Sequence, residues 1–242
     1  MNNSIITSRD NVRIKETRKL LQKKYRDNSG SFLIEGFHLL EEAVKSGMEV
    51  HQVFIEESRQ DRVQDFPNLS IVTREVLKSI SDTENPQGVV AEVAKSDDSV
   101  IDFAGKLLIL ENVQDPGNVG SLIRTADAAA FDAVICVGET VDIYSPKVLR
   151  SAQGSTFHLP IVQKSDNIYD HVENLLVSTL SRDSVDYRTV KLEHFSLVMG
   201  NEGAGVSEKA IKSASQLIHI PMLGKAESLN VAVAGGILMF GL

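Results

Sequence analysis

The chain has 242 residues, 42% of them hydrophobic and 24% charged, with a formal net charge of −8. That composition supports a globular protein with a sizeable core, as one large domain or as a small domain plus a medium one. A single Cys excludes a disulfide scaffold and leaves no cysteine pair for zinc; Cys136 lies in the apolar run 133–137 and reads as a buried structural thiol.

The net charge conceals an asymmetry. Residues 1–30 carry eight basic and three acidic side chains, a net of +5, while the other 212 residues carry −13. A basic arm on an acidic body suits contact with a polyanion, and equally a solvated helix face. Residues 11–26 read as a helix with Ile14, Leu21 and Tyr25 on its apolar side, followed by a turn at 27–30 and a strand at 32–34. A helix at 36–46, strands at 50–55 and 69–72, a helix near 74–79 and a strand at 89–93 complete a small α/β domain, residues 1–96. The polar run 95–99 reads as its linker.

A larger domain, 103–242, repeats strand, loop and helix. Strands are expected at 107–110, 133–137, 156–161, 175–179, 197–199 and 216–220, and helices at 118–129, 146–152, 207–214 and 229–240. Continuous apolar strands without alternation indicate a parallel sheet covered on both faces. Ligands of such sheets bind in the loops after the strands' carboxyl ends. The last apolar stretch, 231–242, is twelve residues with three glycines, against ~20 for a membrane span. With no apolar leader at residues 1–4, a cytoplasmic protein without a membrane partner is expected.

The common fingerprints are missing: no G-x-G-x-x-G follows a strand, and there is no P-loop, no G-x-S-x-G elbow and no metal-ligand spacing among the six histidines. His158 and His219 read as packed core or rim residues, and no metal is expected. Three post-strand segments stand out instead. In the first, Leu110–Asp127, a Pro116-Gly117 turn leads to Asn118, a helix cap or a functional amide, and to Arg124, a surface ion-pair partner or a ligand for an anion. The second, Val198–Ser207, sets Glu202 among Gly200, Gly203 and Gly205, whose lack of Cβ admits something flat or charged. In the third, Ile220–Ala234, Ser228 and Asn230 open an Ala/Val-rich helix suited to close packing.

Together, and in this order on one sheet, the three segments closely resemble the motifs of the SpoU (TrmH) family of S-adenosylmethionine-dependent RNA ribose 2′-O-methyltransferases, in the SPOUT superfamily. The resemblance covers residues 106–242. The segments 6–11 and 32–36 resemble the L30e-like substrate-binding domain fused to rRNA-directed members. It implies a C-terminal parallel-sheet domain with a deep trefoil knot, a homodimer, and an RNA substrate, rRNA in the first place and tRNA in the second. It further implies a methyl donor held by Met199, Gly200, Gly203, Ile220 and Leu229 with Thr179 or Leu180 nearby. The family's catalytic positions map to Asn118, Arg124, Glu202, Ser228 and Asn230. The family assigns Arg124 the ribose proton; a guanidinium is a poor base, and Arg124 could equally grip the adjacent phosphate and steady the forming alkoxide. Ala130 stands where Gly is common, which implies a change in packing only.

A catalytically silent RNA-binding or ribosome-assembly factor on the same fold is the competing reading, and the intact set Arg124, Glu202, Ser228 and Asn230 weighs against it. A third reading is a SPOUT-like enzyme acting on a base, and the Asn118/Arg124 segment favours ribose over it. A small-molecule enzyme of the doubly wound class would leave the basic arm unexplained.

Overall fold

In the computed structural model, residues 4–63, 66–96 and 101–242 are described. The chain divides into two compact units, Met1–Asp97 with Tyr144–Phe157, and Asp98–Ile143 with His158–Leu242.

The first unit opens with two short helices, α1 (Val12–Lys19) and α2 (Lys23–Ser29), rather than one helix over 11–26. Asn11 caps α1 by accepting from the Arg13 N–H, and the chain is extended at Gln22 before α2 starts. The Arg26 guanidinium, buried, donates from Nη1 to the Leu20 carbonyl at 2.7 Å. That bond serves a carbonyl freed by the break. The turn expected at 27–30 is instead the end of α2, closed by Gly30 at φ +66°. Ile14, Leu21 and Tyr25 still meet one apolar cluster, because the break leaves both half-helices facing it.

Strands β1 (Ser31–Glu35), β2 (Val50–Glu56), β3 (Leu69–Val72) and β4 (Val89–Ala94) form a sheet in the order β1-β4-β2-β3. β4 is antiparallel to β1 and β2, and β3 is parallel to β2. Helix α3 (Phe37–Lys45) covers one face; α4 (Arg74–Ser79), capped by Thr73, belongs to the other. The pleat sorts the side chains: Phe32 and Ile34 enter one cluster, Leu33 the other. The first cluster also takes Leu149, Tyr144 and Phe157, so helix α6 (Pro146–Ala152) packs in this unit. Residues 97–99 of the linker expected at 95–99 lie outside the described residues.

The second unit is a seven-stranded sheet. Its strands are β5 (Leu107–Glu111), β6 (Ala133–Val137), β7 (Ile161–Lys164), β8 (Leu175–Ser178), β9 (Val185–Asp186), β10 (Ser196–Met199) and β11 (Gln216–His219). The order is β7-β6-β5-β10-β8-β11-β9 and every pairing is parallel. β5 and β6 are buried along their whole length, as continuous apolar runs require, and the Cys136 thiol lies among them. The strand expected over 156–161 begins only at Ile161. Gln153 and Gly154, both at positive φ, turn the chain into a 3₁₀ segment over Ser155–Phe157, and Pro160 has no N–H to give a ladder.

Helices α5 (Pro116–Ala128) and α8 (Val231–Gly241) pack together, and α7 (Glu208–Ser213) lies on the other side of the sheet. A Cβ on Gly235 would strike the Leu122 side chain, so the small residues of α8 serve the close approach expected of them. Among the described residues no helix is long and apolar enough to cross a membrane.

Candidate active site

The carboxyl ends of β8, β10 and β11, neighbours in the middle of the sheet, open onto a cleft of about 600 Å³. That is within the ~300–1,000 Å³ of small-molecule sites. Its walls are Thr179 and Leu180 after β8, Met199–Gly205 after β10, and His219, Ile220, Met222 and Ser228–Val231 after β11, with Ala234 of α8. Every residue expected around a methyl donor, Thr179, Leu180, Met199, Gly200, Gly203, Ile220 and Leu229, thus lines one cleft. So do Glu202, Ser228 and Asn230.

Two of the glycines have a structural part besides the one expected. Asn201 and Gly205 pair across a tight turn, with N–H···O distances of 2.9 and 3.0 Å. A Cβ on Gly200 would sit 2.5 Å from the Gly205 carbonyl oxygen and 2.7 Å from Val206 Cγ1. Gly205 is at φ +70°. The bare positions at 200 and 205 therefore close the turn on itself. Gly203, with nothing nearer than Asn201 Oδ1 at 3.6 Å, is free of that constraint.

Asn118 does not cap α5. Asp115 does, its Oδ1 accepting from the Asn118 N–H at 2.9 Å, and this releases the Asn118 amide. Asn118 Nδ2 donates to Glu202 Oε1 at 3.0 Å, and Asn118 Oδ1 accepts from Asn230 Nδ2 at 3.0 Å. Asn230 meanwhile caps α8 by accepting from the Ala232 and Val233 N–H groups. One side chain from each of the three segments is joined in a chain of hydrogen bonds. Partial burial pushes the Glu202 carboxyl up, but the Asn118 amide and nearby backbone N–H groups hold it below the ordinary carboxylate value.

Beneath this lies a tie that the sequence did not announce. Glu111, buried at the end of β5, accepts from Tyr169 Oη (2.7 Å), the Ser207 N–H (2.7 Å) and Ser207 Oγ (2.6 Å). Asn112, at φ +54°, accepts at its carbonyl from Asn201 Nδ2 at 2.9 Å. The first and second segments are thereby fastened at two points. A lone acidic residue at the end of an apolar strand was the available signal for Glu111.

Arg124 stands on α5 with its side chain exposed and makes no hydrogen bond or ion pair among the described residues. It does not line the cleft. Ser228 Oγ is likewise unengaged. His158, expected in an apolar strand, sits outside one and meets Asp127 at 2.8 Å.

Residues 105–240 match the SpoU rRNA Methylase family, and residues 11–91 match an MRM3-like substrate binding domain. The chain belongs to the SpoU family. Among its SpoU relatives, the 23S rRNA (guanosine(2553)-2′-O)-methyltransferase RlmP of Bacillus subtilis is 37% identical over 98% of both chains. The 23S rRNA (uridine(2479)-2′-O)-methyltransferase of Streptomyces viridochromogenes is 30% identical over 97% of this chain and 90% of its own. An AdoMet-bound rRNA methyltransferase from Sinorhizobium meliloti superposes with a TM-score of 0.87 at 33% identity, over 98% of this chain and 96% of that one. The two 23S rRNA relatives differ in the nucleoside they modify, so membership of SpoU fixes the class of chemistry and not the target.

Proposed function

We propose that this chain transfers a methyl group from S-adenosylmethionine to a ribose 2′-hydroxyl of ribosomal RNA. The observation that carries the proposal is the joining of Asn118, Glu202 and Asn230 at the mouth of a cleft whose lining suits the donor. Met199, Ile220, Leu229, Val231 and Ala234 offer apolar surface for a purine, while Thr179, His219 and Ser228 supply polar groups at the edge. Bound there, S-adenosylmethionine supplies a methyl carbon made electrophilic by its sulfonium. The protein's work is to align the ribose oxygen with that carbon and to ease loss of the hydroxyl proton.

Glu202, fixed by Asn118, and Ser228 and Asn230 orient the ribose and the loops around it. Arg124, with no partner among the described residues to neutralise it, grips the RNA phosphate and steadies the forming alkoxide. The basic residues of 1–30 add phosphate contacts that position the RNA without reading its sequence. Residues 1–96 form the RNA-holding domain in this reading and 103–242 the catalytic one, with a trefoil knot around the cleft. On α8, Val233, Ile237 and Phe240 are 52%, 36% and 66% exposed at helical spacing on one face. A second copy of the chain covers that face, giving a homodimer, and the enzyme works in the cytoplasm beside its RNA.

The test is labelled S-adenosylmethionine with bulk rRNA or tRNA, followed by nucleoside mass spectrometry. Arg124→Ala is expected to abolish the 2′-O-methylated product while donor affinity stays within about threefold. Donor affinity falling as far as the rate would reject this division of labour. Label on a base would reject ribose as the acceptor.

A further inference from the structure

His219 stands at the carboxyl end of β11 and lines the cleft, one residue before the third segment begins. Its Nδ1 lies 3.0 Å from Ser184 Oγ. Ser184 Oγ is also 2.7 Å from the Ser181 carbonyl oxygen. Two oxygens at that distance, one a carbonyl, need a proton between them, and a hydroxyl has one to give. Ser184 therefore donates to Ser181 and accepts from His219, which places the imidazole proton on Nδ1. In the neutral ring Nε2 is then a bare acceptor. Nothing in the protein uses it: among the described residues Nε2 has no hydrogen-bond partner. Across the strand pair His219 is in register with Asp186 of β9, whose carboxylate interacts with the imidazole through space but takes its hydrogen bonds from the Arg188 guanidinium.

We propose that His219 is a donor-positioning residue: its Nε2, held as an acceptor by the Ser184 hydroxyl, takes a hydrogen bond from an N–H or O–H group of the bound S-adenosylmethionine. This rests on the reading of the cleft as the donor site. The relay Ser181 carbonyl, Ser184 hydroxyl, imidazole runs from the loop after β8 to the loop after β11. Both loops wall the cleft. A neutral acceptor also suits a cationic ligand better than a protonated imidazole, whose charge would oppose the sulfonium.

Asn and Gln separate this role from a purely structural one, because the Asn amide reaches the Nδ1 position and the Gln amide the Nε2 position. Calorimetric titration of the purified protein with S-adenosylmethionine, and separately with adenosine, gives affinity without turnover. His219→Asn keeps the bond to Ser184 and is expected to weaken S-adenosylmethionine binding about tenfold. His219→Gln is expected to stay within about threefold, and Ser184→Ala to cost about threefold by releasing the tautomer. The same loss with adenosine places the contact on the nucleoside half; its absence places it on the amino-acid half. Wild-type affinity in His219→Asn, or a greater loss in His219→Gln than in His219→Asn, overturns the proposal. Failure of the wild-type protein to bind S-adenosylmethionine would overturn the donor site and His219 together, and so is distinct from failure of His219 alone.

Discussion

Three alanine substitutions in one turn measure what its glycines are for. At Gly200 a Cβ would lie 2.5 Å from the Gly205 carbonyl oxygen, and that oxygen already accepts from the Asn201 N–H. Neither backbone segment can retreat without opening the Asn201–Gly205 pair. Forced overpacking costs ~1–3 kcal/mol, and each hydrogen bond lost from the pair adds ~1 kcal/mol; Gly200→Ala should destabilise by about 3 kcal/mol. At Gly205 there is open space but φ is +70°, so Gly205→Ala carries only the left-handed penalty of ~1–2 kcal/mol. At Gly203 neither constraint applies, and Gly203→Ala should be neutral within ~0.5 kcal/mol. In a chain of this size 1 kcal/mol moves the melting temperature by roughly 2–4 °C. Scanning calorimetry should rank the losses Gly200→Ala above Gly205→Ala above Gly203→Ala. If Gly203→Ala melts as low as Gly200→Ala, the steric reasoning is wrong. If Gly203→Ala melts like wild type but loses S-adenosylmethionine, that glycine serves close approach to the ligand.

Other consequences are equally direct. Ala130, at φ +56°, is the left-handed residue of a C-terminal cap in which its N–H donates to the Asp127 carbonyl and the Phe131 N–H to that of Ala126. Ala130→Gly should therefore stabilise the protein by about 1 kcal/mol, raising the melting temperature by a few degrees. Asn118→Ala removes the amide that holds the Glu202 carboxyl low. A lowered carboxylate contributes stability at neutral pH that is lost as pH falls through its folded value, so the variant should titrate Glu202 at higher pH and lose that contribution sooner on acidification, as carbon-13 NMR of the labelled carboxyl would show. An unmoved titration would mean that backbone N–H groups dominate. Burial pushes the Cys136 thiol up to about 12. Iodoacetamide at pH 8 should leave it unmodified in the folded protein and label it only in denaturant.

What the sequence disclosed and what it hid divide along a physical line. Strands β5, β6, β8, β10 and β11 were legible because a parallel strand buried on both faces must be a short apolar run, whatever surrounds it. The three post-strand segments were legible because residues at strand ends are chosen for what they hold. The misses turn on which neighbour serves a freed backbone group and on backbone angles, neither of which periodicity records. Periodicity carries through 11–26 unbroken, because the break after Lys19 is served by Arg26, which counted as one more surface cation. Asn118 looked like a cap because Asp115, three residues earlier, is an equally good one, and only the position of Glu202 shows which amide is spare. Ala130 was read as a matter of packing, whereas a backbone angle decides it.

His219 makes the same point for function. Its chemistry rests on one proton, placed by a serine 35 positions away whose own proton is committed elsewhere. A motif can name the residue types that a reaction needs. It cannot say which nitrogen of a histidine is bare, since that is a property of a closed set of hydrogen bonds. The positions that separate relatives acting on different nucleosides should be of this second kind: side chains whose donors and acceptors are fixed from outside the three segments. Exchanging segments between this chain and a relative with another target should therefore carry over catalysis and leave the choice of nucleotide with the rest of the protein.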